Sequence, residues 1–344
     1  MKLRSLLAIV DRILINYFSK NSLLAQKYYE NVNWSFYREH FAVLEGRVAY
    51  WGNRKKSKLV SSVSLRRNIH RIEKGLVMRP RKPVFALSYI AETINSYESL
   101  LQSEIADQDE VRWAGDVLEQ YFSSVENTPP IEEQHSRFTL LKPKIENIDG
   151  LPTTPIKYAD LERSDIDFLQ LKTLITNRKS VRWFQDRLVP KKKITDAITV
   201  AKQAPSSCNR QPYNFYVTSE PKAAQQIADC AMGTVGYVRN IRSIVVVVGD
   251  LSAFFSERDR HLIYIDGSLA VMQFILAIET LGLSTCCINW PDIPSRERRI
   301  RKLLKLERFQ RPIILIAVGY ADSEGQVPSS LKRSNDSIIK DISI

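Results

Sequence analysis

The run SIVVVVGD, residues 243–250, constrains this chain more than any other stretch. Consecutive β-branched apolar residues closed by Gly-Asp read as a buried strand, and a buried strand needs helices or further strands to cover it. From about residue 166 the pattern supplies them. DFLQLKTLITNR (167–178) and KKKITDAITVAKQA (191–204) have helical spacing, the latter with Ile194, Ala197, Ile198 and Ala201 on one face. YNFYVTS (213–219) is a strand and PKAAQQIADCAM (221–232) a helix. A long helix around GSLAVMQFILAIETLG (267–282), the strand STCCIN (284–289), the charged helix SRERRIRKLLKL (295–306) and the strand RPIILIAVGYAD (311–322) complete the series. This alternation defines an α/β or α+β domain of about 180 residues.

The preceding half has a different texture. Residues 1–128 read as helical, with amphipathic stretches such as ALSYIAETINSYESLLQ (86–102). The Pro-containing breaks ENTPPIEEQ and GLPTTPIKY bracket a linker-like segment, 129–165, before a domain at 166–344. At the N-terminus, Leu3, Leu6, Leu7, Val10, Ile13, Leu14 and Tyr17 recur at helical spacing. Asp11 and Arg12 interrupt the run, no small-residue cleavage site follows, and the stretch is too short to span a bilayer. An amphipathic helix packed on the chain's own core is expected, with attachment to a membrane surface as the alternative.

The chain has 344 residues and a net charge of +12, and the excess is local. Residues 54–82 hold Arg54, Lys55, Lys56, Lys58, Arg66, Arg67, Arg71, Lys74, Arg79, Arg81 and Lys82 against one acid, Glu73. Such a cluster is either a solvated helix face or a surface for an anionic substrate, a cofactor phosphate or an anionic membrane. Nucleic acid is not the partner this pattern favours. Cys208, Cys230, Cys286 and Cys287 lack the CxxC spacing of a zinc site and the density of a disulfide scaffold, so they read as reduced thiols of a cytoplasmic protein. The four histidines stand far apart, and no metal site is expected.

Walker A, GxSxG, HExxH and GxGxxG patterns are all missing. What remains is NRKSVRWF (177–184), where Arg178, Lys179, Ser180 and Arg182 offer three cations and a hydroxyl suited to a phosphate. About 20 residues later comes the polar turn APSSCNRQPYNFYV, then DGSLAVMQFILAIETLGLSTCCI, then PIILIAVGYAD. In that order these motifs resemble the FMN-dependent nitroreductase family over roughly residues 168–340, about half the chain.

The resemblance implies an α+β fold: a nitroreductase-like mixed or antiparallel sheet flanked by helices, here preceded by a mainly helical N-terminal region. It also implies FMN bound at the interface of a homodimer. By motif position, Arg178, Lys179, Ser180 and Arg182 would hold the phosphate, the ribityl hydroxyls and the pyrimidine edge. Pro205, Ser206, Ser207 and Asn209, commonly supplied by the partner subunit, would border the ring or ribityl chain, with Gln211 and Pro212 shaping the turn. The segment of Cys287, Ile288, Asn289 and Trp290 would lie beside the reactive edge, and Lys332 and Arg333 match a basic pair near the phosphate. His261 and Tyr264, just before the long helix, are either surface residues or lie over the flavin as substrate contacts or a proton donor. Neither a nucleophile nor a metal is required, because flavin carries the redox chemistry and the protein supplies binding, orientation and electrostatics; no catalytic residue is assigned.

The implied activity is that of an oxidoreductase, passing hydride or electrons from NADH, NADPH or another donor through FMN to an organic acceptor by a ping-pong mechanism. Two alternatives stand beside it: a specialised flavin dehydrogenase acting on a biosynthetic intermediate, and a flavin-less, membrane-peripheral or anion-binding protein. The segments on either side of SIVVVVGD are shorter than is usual in the family, which implies an open site or cover supplied by the N-terminal half.

Overall fold

The computed structural model describes residues 2–52, 61–141 and 153–343, with side chains from residue 10 onward. Arg54, Lys55, Lys56 and Lys58 of the basic run, and the side chains of Leu3, Leu6 and Leu7, lie outside the described residues. The C-terminal half is built on one four-stranded antiparallel sheet in the order β1-β2-β4-β3. Its strands are β1 (Tyr213–Thr218), β2 (Ser243–Asp250), β3 (Ser284–Asn289) and β4 (Gln310–Gly319). β2, the SIVVVVGD run, is central and buried from Ser243 to Gly249.

Alternate side chains of β2 feed two cores, as a period of two requires. Val245 and Val247, with Ile316 and Val318 of β4, pack under α9 (Lys191–Ala201) and α11 (Leu262–Thr280). Ile244, Val246 and Val248, with Leu315 and Ala317, face α10 (Pro221–Ala228) and α12 (Pro294–Leu304), from which Ile227 and Ile300 enter the core. Helices on both faces of an antiparallel sheet make an α+β layered domain, as the sequence predicts. α11 falls within the stretch Glu257–Thr280, which is long and apolar enough to cross a membrane by composition, but half of that stretch is buried within the protein.

Six helices of the other half are α1 (Lys2–Phe18), α2 (Ser22–Asn31), α3 (Tyr37–Gly52), α4 (Val63–Leu76), α5 (Ile90–Leu101) and α6 (Gln108–Ser124). A seventh, α7 (Pro129–Leu141), occupies the start of the segment read as a linker. Pro129 and Pro130 suit a first helical turn, where no N–H is needed. α7 sends Ile131 and Phe138 into a core shared with α4, α5 and α6, so the helical region extends to residue 141. Among the described side chains of the N-terminal helix, the expected packing on the protein core is not found. α1 meets α2, and its Val10, Ile13 and Tyr17 are exposed.

The halves meet through α3 and α4. Ala42 of α3 joins Leu251, Ala253, Phe254 and Ile263 in a small core at the end of the sheet. The approach is close: a Cβ on Gly46 would lie 2.8 Å from backbone atoms of Leu251. α4 lies against the polar turn at 207–209.

Candidate functional site

The cation-rich strip follows α8 (Phe168–Asn177), whose start carries a capping box between Asp167 and Gln170. Beyond α8 the backbone runs along β3. Ser180 bridges Thr285 in parallel, and the Val181 N–H donates to the Thr285 carbonyl at 2.9 Å. This sets Arg178 near Cys287 and Glu279, pulling both acids toward ionisation against the burial that raises them. Arg182 donates to the hydroxyl of Tyr237 and lies 5.9 Å from its ring centroid, while that hydroxyl sits 3.9 Å from the Cys286 sulfur. Burial, then Cys286, pushes the Tyr237 phenol well above its ordinary range. Arg178, Lys179 and Arg182 have no carboxylate ion pair among the described residues. Cys287 is exposed and its neighbour Cys286 buried, so one thiol, not a pair, faces outward.

The polar turn is the second part. Cys208, Asn209 and Gln211 have φ of 51°, 52° and 50°, a left-handed conformation that costs a non-glycine residue on the order of 1–3 kcal/mol. Side chains from three elements hold it. Asp266 of α11 accepts the Ser207 N–H at 2.9 Å, and Arg66 of α4 donates its Nε–H to the Asn209 carbonyl at 2.8 Å. Arg210 donates to the Ser207 carbonyl and to its Oγ, both at 3.3 Å, and the Gln211 N–H reaches Ser206 Oγ at 3.1 Å. Burial raises the Asp266 carboxyl, opposed by the Ser207 N–H and by Arg210. Burial also pushes the Tyr213 phenol up to about 12, and its hydroxyl has no partner.

The other expected residues are placed elsewhere. Ile288 is in the core, so only its backbone can reach a ligand. Trp290 donates its indole N–H to Glu297 at 3.0 Å, in a buried group with Arg311, and Asn289 is exposed at the far end of β3. Lys332 and Arg333 stand exposed in the C-terminal tail, where Arg333 bonds Ser337. His261 is exposed at the start of α11, and Tyr264 hydrogen-bonds Arg311. The contacts of Arg66, Arg210, Asp266 and Tyr237 escape sequence reasoning, because their partners lie from 44 to 143 residues away, apart from the local Arg210–Ser207 contacts. Among the described residues, no group of three or more His, Cys, Asp or Glu side chains could hold a metal ion.

Strip and turn do not meet within one chain. β1 and β3 are opposite edges of the sheet, about 14 Å apart at three strand spacings. Tyr213, next to the turn, pairs through Gly249 with Arg311, whereas Thr285, next to the strip, pairs with Val318. The rise of β4 between those positions adds about 23 Å along the strands. The turn instead adjoins an apolar groove of about 460 Å³ on α11, lined by Tyr264, Ile265, Ser268 and Leu269.

The fold and site therefore define a helix-covered, antiparallel α+β protein whose candidate binding elements lie at two ends of one sheet. The Nitroreductase family model matches residues 175–240 and 237–320. FMN reductase (NADPH) of Bacillus subtilis is 25% identical over 176 residues, spanning 46% of this chain and 70% of that protein. Iodotyrosine deiodinase of Thermotoga neapolitana is 27% identical over 169 residues, spanning 44% and 89%. The solved structure of a "Putative NADH dehydrogenase/NAD(P)H nitroreductase" from Parabacteroides distasonis is 30% identical, covers 51% of this chain and 99% of its own, and superposes with a TM-score of 0.44. The match to the nitroreductase family lies in the C-terminal half of the chain.

Proposed function

We propose that the protein is an FMN-dependent oxidoreductase, active as a homodimer in which each FMN lies between the strip of one subunit and the turn of its partner. The carrying observation is the division of the site: two sets of residues suited to one phosphorylated, planar ligand lie at opposite ends of the sheet. A second copy is the simplest way to join them. Ile265, Leu269 and Met272 form an exposed apolar row on α11 beside the turn, and exposed Phe168, Leu169 and Ile175 on α8 add to the surface a partner would cover.

The residues present fit the group. Arg178, Lys179 and Arg182 are cations without carboxylate ion pairs among the described residues, and Ser180 adds a hydroxyl, as a phosphate and ribityl chain require. Pro205, Ser206, Ser207 and Asn209 of the other subunit would border the ring, in a turn already fixed by Asp266, Arg66 and Arg210. Exposed Cys287 and the adjoining β3 backbone would lie beside it, with Arg178 favouring negative charge there. Lys332 and Arg333 would reach the phosphate if the tail folds across the partner. Bound FMN supplies the redox chemistry, taking hydride from a reduced nicotinamide and passing reducing equivalents to an organic acceptor in ping-pong order. A cytoplasmic location is part of this reading, since all four cysteines are free.

A second reading, a dedicated enzyme acting on one biosynthetic intermediate, is favoured by the packing of α3 and α4 beside the turn, which narrows access there. The visible absorbance spectrum and the mass of the released cofactor test the common core of both readings. A yellow protein releasing FMN is expected, and a colourless one would contradict it. Turnover of nitroaromatics then separates the readings, because the dedicated enzyme would reduce them poorly despite bound FMN.

A further inference from the structure

We infer that Arg67 and Arg210 form a receptor for an oxyanion, a phosphate or carboxylate carried by the molecule that reacts beside the polar turn; this rests on the flavin reading above. Arg210 is 7% exposed, and its Nε has no hydrogen-bond partner. Burial lowers the guanidinium, and Arg67, brought close by α4, lowers it again by repulsion. Neither arginine has an ion pair among the described residues. Each has an aromatic neighbour from one short segment: Arg210 lies 5.2 Å from the Phe254 ring centroid and Arg67 lies 5.9 Å from that of Phe255. A guanidinium lying over a ring keeps its N–H donors in its own plane, free for a planar or tetrahedral oxyanion.

The surrounding charges leave a local excess of positive charge. Asp259 faces Arg210 but pairs with Arg258 at 3.5 Å, and Arg258 itself lies 5.2 Å from the Phe255 ring centroid. Tyr50 accepts from Arg67 at 3.3 Å, and the Cys208 thiol is near Arg210. Three guanidiniums, Arg67, Arg210 and Arg258, against two carboxylates, Asp259 and Asp266, with one cation nine-tenths buried, make a site that an anion would complete. Because Arg210 also holds Ser207, the anion would sit against the turn that borders the ring. Placed there, it selects for an anionic reactant and identifies part of the basic run as a recognition element of this chain's N-terminal half.

The test uses the full-length protein. Calorimetric titration with inorganic pyrophosphate should show binding, weakened about tenfold to a hundredfold in Arg67→Gln and in Arg210→Gln. Because Arg210 is buried and its variant could fail to fold, Arg67→Lys and the rise in wild-type melting temperature with pyrophosphate provide independent readouts. The reactant that carries the anion is found from kcat/KM for NADPH against NADH, and for 4-nitrobenzoate against 4-nitrobenzyl alcohol. Wild type should favour the more anionic member of at least one pair, and Arg67→Gln should reduce that ratio about tenfold. Absence of pyrophosphate binding, or binding and ratios indifferent to both arginines, would overturn the inference. A colourless protein that still bound pyrophosphate through these arginines would support the receptor and overturn the flavin reading.

Discussion

Replacing Arg66 with Ala removes a side chain that ties the N-terminal helices to the left-handed turn. Its Nε–H bond to the Asn209 carbonyl is 2.8 Å long, its guanidinium is 3.4 Å from Glu110, and it lies 5.2 Å from the Trp113 ring centroid. The Glu110 side chain is fully buried, and burial raises its carboxyl even with Arg66, Ser61 and the Ser62 N–H opposing. Removing one partner of a buried pair costs about 3–5 kcal/mol, chiefly because the remaining charge is stranded. Urea unfolding of R66A at neutral pH should show a loss in that range. The sign with pH follows from the raised carboxyl. Such a group binds its proton more tightly folded than unfolded, so its penalty is largest above the folded-state value and fades as pH falls through it. Without Arg66 that value moves higher, so the deficit against wild type should shrink on acidification. Adding Glu110→Gln should recover part of it at neutral pH. A loss under 1 kcal/mol, or a deficit that grows as pH falls, would refute this account.

Other outcomes follow from the same geometry. Gly46→Ala should cost about 1–3 kcal/mol by overpacking against Leu251, whereas Gly52→Ala, with no atom within 4 Å, should be neutral or mildly stabilising; equal effects in urea unfolding would contradict the α3 contact. Arg178→Ala should weaken FMN binding by roughly one to two powers of ten, read by equilibrium dialysis, through loss of one charge-assisted contact. Iodoacetamide should label exposed Cys287 before buried Cys230 and Cys286, faster as pH rises because its thiol is raised; peptide mapping would show otherwise if β3 were inverted. If the proposed dimer forms through α11, Leu269→Glu should leave a monomer that has lost bound flavin, measured by sedimentation.

The sheet was legible because its strands carry their own signals. β2 and β3 begin and end where the apolar run and STCCIN predict. α11 begins at Leu262, five residues before the apolar pattern is evident, because Asp266 is a polar residue turned to the core to hold Ser207. α7 was hidden by Pro129 and Pro130, which read as a break yet open a helix. The basic run reads from sequence as either a solvated helix face or a surface for an anion. Among its described members Lys74, Arg79, Arg81 and Lys82 are exposed, whereas Arg66, Arg67 and Arg71 turn to Asn209 and Glu110, Tyr50, and Tyr89 respectively, contacts set by tertiary packing that local sequence does not encode. For the candidate site, residue types were readable from motif order, but the placement of strip and turn at opposite ends of the sheet follows from strand order alone.

The central claim is that one FMN is shared by two chains, and subunit complementation tests it most directly. Arg178→Ala impairs the strip, and Asn209→Gly alters the turn while tolerating its positive φ. Each variant alone should be depleted of FMN. Co-expressed in equal amounts, they should form heterodimers with one intact site each, restoring about a quarter of the wild-type flavin content by random pairing. Flavin content no higher than in the separate variants, in dimers shown to contain both chains, would contradict the shared site.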